Sequence, residues 1–294
     1  MLGVVIINAY PSGEKFIRQG KRIAEELRLL GVETDVLRNG EIGVAIDEMG
    51  QAQVQLPKAY DFAVYLDKDK YLGKILESRG MRLFNSALAV EQCDDKMLTY
   101  LALINKGVCV AKSIPAPLCY TKNAKVDKKF LSYVAETLGF PLVIKKSFGS
   151  FGMGVHLIHG MPELKKYAQD FLHEPHFFQQ YVHESKGRDV RVIVIGGKAI
   201  AAMERKAQEG EFRSNIELGG KGQNIKLPAE YFRAAETAAQ ALGLDYCGVD
   251  ILYGEQPIIC EVNSNAFFEG LEQTTGCNVA AAYAKHIVQT LQQK

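Results

Sequence analysis

Near the C-terminus two short apolar runs, Val249-Asp250-Ile251-Leu252-Tyr253 and Ile258-Ile259-Cys260-Glu261-Val262, flank the turn-forming stretch Gly254-Glu255-Gln256-Pro257. Both runs are rich in β-branched residues and bounded by turn signals, so they read as the strands of a hairpin. Each carries an acid where a buried strand should be apolar. With a four-residue loop, Tyr253 pairs with Ile258, and counting back sets Asp250 opposite Glu261. Directly opposed residues share a face about 5 Å apart, and like charges there destabilise the pair. Asn263, two residues on, points to the same face. Two carboxylates and an amide oxygen thus converge on one spot. A hard divalent cation such as Mg²⁺ would resolve the repulsion, taking oxygen ligands and sharing substrate phosphates. The alternative is a solvated sheet face on which both acids meet water.

A chain of 294 residues exceeds the size at which one hydrophobic core keeps growing, so two or three domains are expected. The formal net charge of +1 argues against broad nucleic-acid or membrane binding. No apolar run reaches transmembrane length. The opening "MLGVVIINAYPSG" lacks a basic leader and reads as a first strand. The cysteines are Cys93, Cys109, Cys119, Cys247, Cys260 and Cys277. None forms a CxxC pair and most lie in apolar contexts, which suggests buried thiols in a reducing cytosol. His156 and His159, and His173 and His176, recur at HxxH spacing. No Cys or carboxylate set completes a metal site around them, and exposed polar positions are expected.

The first third alternates strand and helix. Val4 to Ile7 is a continuous apolar run, as in a strand covered on both faces. Phe16, Ile23, Leu27 and Leu30 recur at helical spacing before Gly31. Further strands are expected at Val32–Leu37, Phe62–Leu66 and Met81–Phe84, with a helix over Lys70–Ser78. The alternation implies a parallel, Rossmann-like layer, although no GxGxxG follows the first strand. A helix over Asp95–Lys106 follows, capped by Asp94 or Asp95, with Met97, Leu101 and Ile104 as its apolar face. Beyond Pro115 and Pro117 comes a smaller unit, then strands "DVRVIVI" and "KAIAAMERK", an Ala-rich helix from Ala229 to Leu242, the hairpin, and a last helix.

In "PLVIKKSFGSFGMGV", Lys145 precedes Gly149, Gly152 and Gly154, with Ser147 and Ser150 between. Glycines let backbone N–H groups wrap an anion, and a lysine supplies a compact charge. The loop is not a Walker A motif, having no GK[ST] and a strand rather than a helix after it. Phosphate binding and a plain hairpin turn are the two readings. Arg213, Ser214 and Asn215 form a second polar cluster, and Glu204-Arg205-Lys206 ends a strand upstream. Each is a phosphate or carboxylate contact or a charge on a strand edge.

Order carries more than any single motif. Lys96 at a helix start, Lys145 with its glycine-rich loop, "QQYV", "GRDVR", "AAMERKAQEGEFRSN" and "GVDIL…EVNSN" follow one another. This succession resembles the ATP-grasp superfamily, in detail its RimK-type amino-acid ligases, over residues 86 to 290. The fold so implied is α/β, with α+β character in the ATP-grasp part. A Rossmann-like pre-ATP-grasp domain spans 1–95, a central lobe with the glycine-rich loop 96–182, and a C-terminal lobe with the metal site 183–294. ATP lies between the two lobes.

The resemblance implies roles residue by residue. Lys96 and Lys145 would contact ATP phosphates. Gln180, Tyr181 and Val182 would line the adenine at the hinge, and Asp189 would lie on the nucleotide side. Arg213, Ser214 and Asn215 would meet the phosphates, and Arg205 would face the reacting centre as the catalytic residue. Asp250, Glu261 and Asn263 match the metal ligands, for two Mg²⁺ or Mn²⁺ ions. Gln180 stands where the family often has an acid, and "SNAFFEG" replaces a more usual small-residue and proline turn near the expected acceptor site.

The implied activity is ATP-dependent joining of a carboxylic acid to an amine through an acyl phosphate, releasing ADP and phosphate. Glutamate added to a small molecule or a protein is one form of it. The implied enzyme is cytoplasmic, forms homo-oligomers, and has no nucleic-acid or membrane partner. The competing readings are an ATP-binding module without turnover and a kinase that stops at phosphoryl transfer.

Overall fold

The computed structural model describes residues 1–10, 13–149, 152–208, 214 and 219–293. Its first unit runs β1 (Leu2–Ile7), α1 (Glu14–Leu29), β2 (Glu33–Arg38), β3 (Gly43–Ile46), β4 (Ala52–Gln55), β5 (Phe62–Leu66), α2 (Lys70–Ser78) and β6 (Arg82–Phe84). Four of these strands form a sheet in the order β2-β1-β5-β6. All its pairings are parallel, as expected for strands joined by helical crossovers. β1 and β5 are buried along nearly their whole length, which accounts for their unbroken apolar sequence. Asp69 caps α2 by accepting from the backbone N–H of Tyr71 and Leu72. In α1 the buried stripe includes Ile23 and Leu27, whereas Leu30 is exposed. The antiparallel hairpin β3–β4 has no counterpart in the expected elements. Its strands are short, and its first strand is exposed throughout although its sequence, Gly43-Val44-Ala45-Ile46, is apolar.

Two helices, α3 (Ala87–Asp94) and α4 (Lys96–Leu103), lead to the two-residue strand β7 (Cys109–Val110). Asp95 caps α4 through the N–H groups of Met97 and Leu98. The face expected for α4 is corrected. Its buried residues are Lys96, Thr99, Tyr100 and Leu103, while Leu101 and Ile104 are 53% and 57% exposed. Lys96 on this face reaches the cleft described below, Thr99 Oγ1 donates to the Gln92 carbonyl and Tyr100 Oη to the Cys260 carbonyl, so aliphatic spacing alone selected the wrong side.

The middle unit comprises β8 (Ser113–Pro115), α5 (Lys128–Leu138), β9 (Leu142–Lys146), β10 (Val155–Ile158), α6 (Met161–Asp170) and β11 (His176–Gln180). Its sheet has the order β10-β9-β11-β8 and is antiparallel throughout. Leu131, Val134 and Leu138 of α5 and Leu164 and Ala168 of α6 pack with Leu142, Ile144 and Phe178 into its core. His176 is buried there against Phe171 and Phe178, not at an exposed polar position.

The last unit contains β12 (Arg188–Ile195), β13 (Lys198–Lys206), β14 (Lys221–Gln223), α7 (Ala229–Ala241), β15 (Tyr246–Leu252), β16 (Ile258–Asn263), α8 (Glu269–Thr275) and α9 (Val279–Gln292). The sheet order is β14-β13-β12-β15-β16-β7, so β7 joins this sheet rather than the middle one. α7 buries Tyr231, Ala235, Ala238 and Ala239 against one face. The other face shares a core with the first unit, in which Ile193, Met203, Tyr246 and Tyr283 pack with Val5, Ile23 and Leu27. The single expected last helix is two, separated by Gly276 at φ +73° and restarted by the Asn278 cap. Of the cysteines, Cys93 and Cys247 are buried, Cys109 is exposed, and the other three are half-buried free thiols.

Candidate active site

The acid hairpin sets the site. Leu252 pairs with Ile258 and Ile251 with Ile259, so the turn is one residue longer than the four expected. The register then shifts, and Asp250 pairs with Glu261 after all. Cys260 is the extra residue, a β-bulge on β16 that restores the alignment the turn had displaced. Asn263 lies opposite Gly248, one step along from Glu261 on the same face.

That face carries a charged row across four strands. Asp189 of β12 lies opposite Arg205 of β13, and Arg191 lies opposite Asp250. Arg205 is 2% exposed and grips Asp189 through Nε–Oδ1 and Nη2–Oδ2 contacts of 2.7 and 2.5 Å. The same Nη2 lies 2.9 Å from Asp250 Oδ2. Arg191 donates to both Asp250 oxygens at 2.7 Å. Burial alone would raise the Asp250 pKa, but Arg191 and Arg205 outweigh it and hold it below the usual carboxylate value. Burial would lower the Arg205 pKa, yet Asp189 and Asp250 raise it. The repulsion between Asp250 and Glu261 therefore has a solution within the protein. Two arginines neutralise the first acid, and Lys96 Nζ stands 3.5 Å from Glu261 Oε1.

A second wall comes from β9, α4 and the glycine-rich loop. Lys145 is buried, with Nζ donating to Gln179 Oε1 at 2.7 Å and lying 3.7 Å from Cys260 Sγ. Burial acts to lower its pKa, but Cys260, Tyr100 and Glu261 around it raise it overall, so it stays cationic. Gln179 donates in turn to Tyr100 Oη and Ser113 Oγ, and Tyr100 Oη donates to the Cys260 carbonyl at 2.7 Å. Lys96 Nζ donates to the Gly149 carbonyl at 2.8 Å, so it links the loop to Glu261. Gly149, Gly152 and Gly154 all have positive φ, at +134°, +71° and +73°, a backbone that side-chain-bearing residues rarely adopt. A Cβ on Gly154 would also come within 2.9 Å of the Lys146 side chain.

One cleft collects the expected residues. Lys96, Lys145, Gln180, Tyr181, Val182, Asp189, Arg205, Ser214, Asp250 and Glu261 all line it. Asn263 does not line it, and its buried Nδ2 has no hydrogen-bond partner. Arg213 and Asn215 lie outside the described residues, as does Ser150 of the loop. Aliphatic and motif spacing passed over Arg191, Tyr100, Gln179 and Cys260. Arg191 carried a legible signal, since "RDVRV" places Asp189 and Arg191 on one face of a strand.

The donor set suits a hard cation. A carboxylate offers about four lone-pair sites, and the three arginine contacts leave one open on Asp250 Oδ1. Glu261 faces the cleft with its side chain 30% exposed; Asn263 could add only its amide oxygen, because the unpartnered atom there is Nδ2, a donor and no cation ligand. Among the described residues no three Asp, Glu, His or Cys side chains form a closed cage. Mg²⁺ takes few protein ligands and completes its shell with substrate phosphates and water.

Comparison with solved structures defines the architecture. Over 100% of this chain and 98% of the other, it superposes on D-alanine–D-alanine ligase from Bacillus anthracis complexed with ATP, with TM-score 0.73 and 21% identity. The fold is thus that of the ATP-grasp proteins. The family model described as the RimK-like ATP-grasp domain matches residues 93–287. The chain is 32% identical over 274 residues to beta-citrylglutamate synthase B of Danio rerio, covering 90% of this chain and 66% of that protein. It is 37% identical over 217 residues to a probable alpha-L-glutamate ligase of Marinomonas sp. (strain MWYL1), covering 73% and 69%. The chain belongs to the RimK-like ATP-grasp family, a family of ligases.

Proposed function

We propose that this chain joins a carboxylic acid to an amine at the expense of ATP, through an acyl phosphate. The observation that carries the reading is the single cleft in which Lys96 and Lys145 stand beneath the glycine-rich loop beside the acid row of Asp250 and Glu261. ATP would lie with its adenine at Gln180, Tyr181 and Val182 and its phosphates toward Lys145 and Lys96. Glu261, Asn263 and the open site on Asp250 would hold two Mg²⁺ or Mn²⁺ ions. Bound there, the metal would neutralise phosphate charge as the phosphoryl group moves.

The carboxylate oxygen of the acid attacks the γ-phosphorus. The new O–P bond forms as the bond to the β-phosphate oxygen breaks, and ADP leaves. The amine then attacks the acyl carbon, phosphate departs with the C–O bond electrons, and the amide loses its extra proton to solvent. Catalysis of this kind is positioning and charge stabilisation more than covalent help. The chain's residues fit that role. Arg205, fixed by Asp189 and Asp250, presents a permanent cation at the cleft, and Lys145 and Lys96 add two more. The glycine-rich loop closes the nucleotide side and keeps water from the anhydride.

No described helix is long and apolar enough to cross a membrane, and a cytoplasmic ligase is the reading that accompanies this chemistry. Hydroxylamine is the test. Supplied in place of the amine with a panel of carboxylic acids, it should trap the anhydride as a hydroxamate, one per ADP. ADP without hydroxamate would indicate a kinase, and AMP with pyrophosphate would exclude the acyl-phosphate route.

A further inference from the structure

The first sheet reverses its winding at β1. The chain goes to β2 on one side and returns to β5 on the other. In open α/β sheets ligands settle outside the carboxyl ends of the strands at such a switch point. Asn8 follows β1 and Asp67 follows β5, and Asn8 Nδ2 donates to the two Asp67 oxygens at 3.2 and 3.3 Å. The Asn8 orientation is fixed because its Oδ1 accepts from Tyr10 N–H at 2.8 Å. Asp67 is 6% exposed. Its other donors are backbone N–H groups, Lys68 at 2.6 Å and Asp69.

All of these donors are neutral. Burial raises the Asp67 pKa, and the hydrogen bonds only partly offset it. A desolvated carboxylate is normally compensated by a cation.

The ends of β1 and β5 are tied to the acid strand. Asn265 Nδ2 donates to the Leu66 carbonyl at 2.8 Å, and Asn265 lies in the turn that directly follows β16, two residues beyond Asn263. Gln19, also 6% exposed, donates to Asn265 Oδ1 and the Ala266 carbonyl at 3.0 and 3.1 Å. Its Oε1 is buried without a partner. A buried carboxylate and an orphan acceptor therefore border one seam, and both call for a donor. An ammonium group supplies three N–H donors and a positive charge.

Resting on the ligase reading above, we propose that Asp67, with Asn8 and Gln19, is the substrate-reading site, and that the molecule it selects carries a spectator ammonium group. An ammonium has no lone pair, so the group held there is not the attacking nucleophile. It belongs either to the acid, as in a free amino acid, or to the amine, as the second amino group of a diamine. Asp67 is then a specificity residue rather than a catalytic one.

Calorimetric titration of the full chain with AMPPNP and Mg²⁺ tests this without turnover. One arm compares alanine and glutamate with their Nα-acetyl derivatives, which lack the α-ammonium, and the other compares putrescine, with two ammonium groups, with propylamine, which has one. A charge-assisted contact predicts affinity about ten- to a hundredfold higher for the member of one arm that carries the additional ammonium. Asp67→Asn, close to isosteric, should erase that preference while AMPPNP affinity and the urea midpoint change little. Asn8→Ala should weaken the preference in the same direction.

Equal affinity for the members with and without the additional ammonium would overturn the proposal, as would a preference that survives Asp67→Asn or the absence of binding by every member that carries it. Hydroxamate formation with unaltered choice between free and acetylated acids would overturn it while leaving the ligase reading intact. Selective binding of cations without hydroxamate from any acid would support the site and count against the ligase reading.

Discussion

Arg191 and Asp250 face each other across β12 and β15, and the arginine holds both carboxylate oxygens at 2.7 Å. The pair is buried, with side chains 13% and 6% exposed. Breaking a buried pair by removing one partner leaves an uncompensated charge, at a cost of about 3–5 kcal/mol. Arg191→Met should therefore lower the stability by about 3 kcal/mol in urea unfolding. A loss below about 1 kcal/mol would mean that Arg205 alone neutralises Asp250.

The two acids of the hairpin separate by the same logic. Asp250→Asn removes the carboxylate that Arg191 holds and leaves Arg205 with Asp189 alone, and it should cost both stability and ATP turnover. Glu261 is more open, and among the described residues its ion pair is with Lys96 at 3.5 Å, so Glu261→Gln should change stability by less than about 1 kcal/mol while abolishing turnover. Turnover at the wild-type rate in Glu261→Gln would remove this residue from the metal set.

Lys145→Ala should weaken ATP far more than adenosine, because a lysine under the glycine-rich loop acts on phosphates. The loss expected for a charged hydrogen bond is about one to two decades in affinity. Equal losses for both ligands in a titration would instead indicate collapse of the Gln179 network that Lys145 anchors.

His176 gives a pH dependence. Burial lowers its pKa below the usual histidine value, against the Glu174 carbonyl contact of 2.8 Å at Nδ1. The unfolded chain then binds a proton that the folded chain resists. Stability is fully present above about pH 6.5 and falls as the pH drops from there toward the folded pKa. His176→Gln should flatten that limb of the melting-temperature profile between pH 7 and pH 5. An unchanged profile would assign the slope to other groups.

Much of this was legible in residues. The parallel layer followed from unbroken apolar runs alternating with helical spacing, and α2 spans the Lys70–Ser78 range expected of it. The opposition of Asp250 and Glu261 was reached by a count that was wrong by one in the turn. It held because the Cys260 bulge added the missing residue, and no local signal marks a bulge there. The face of α4 misread for a different reason. Lys96, Thr99 and Tyr100 are buried for their polar contacts, and a pattern that counts only aliphatic residues passes over them. Arg191 shares a strand face with Asp189, which the sequence shows, but its partner Asp250 stands across the sheet, and strand order β13-β12-β15-β16 is not written in any one segment.

The central claim is that the acid itself receives the phosphoryl group. The direct measurement uses the acid selected by hydroxamate trapping, labelled with ¹⁸O in its carboxylate, and mass spectrometry of the phosphate released. Attack by the carboxylate predicts one ¹⁸O in inorganic phosphate for each amide formed. Unlabelled phosphate, or label recovered in AMP, would contradict it.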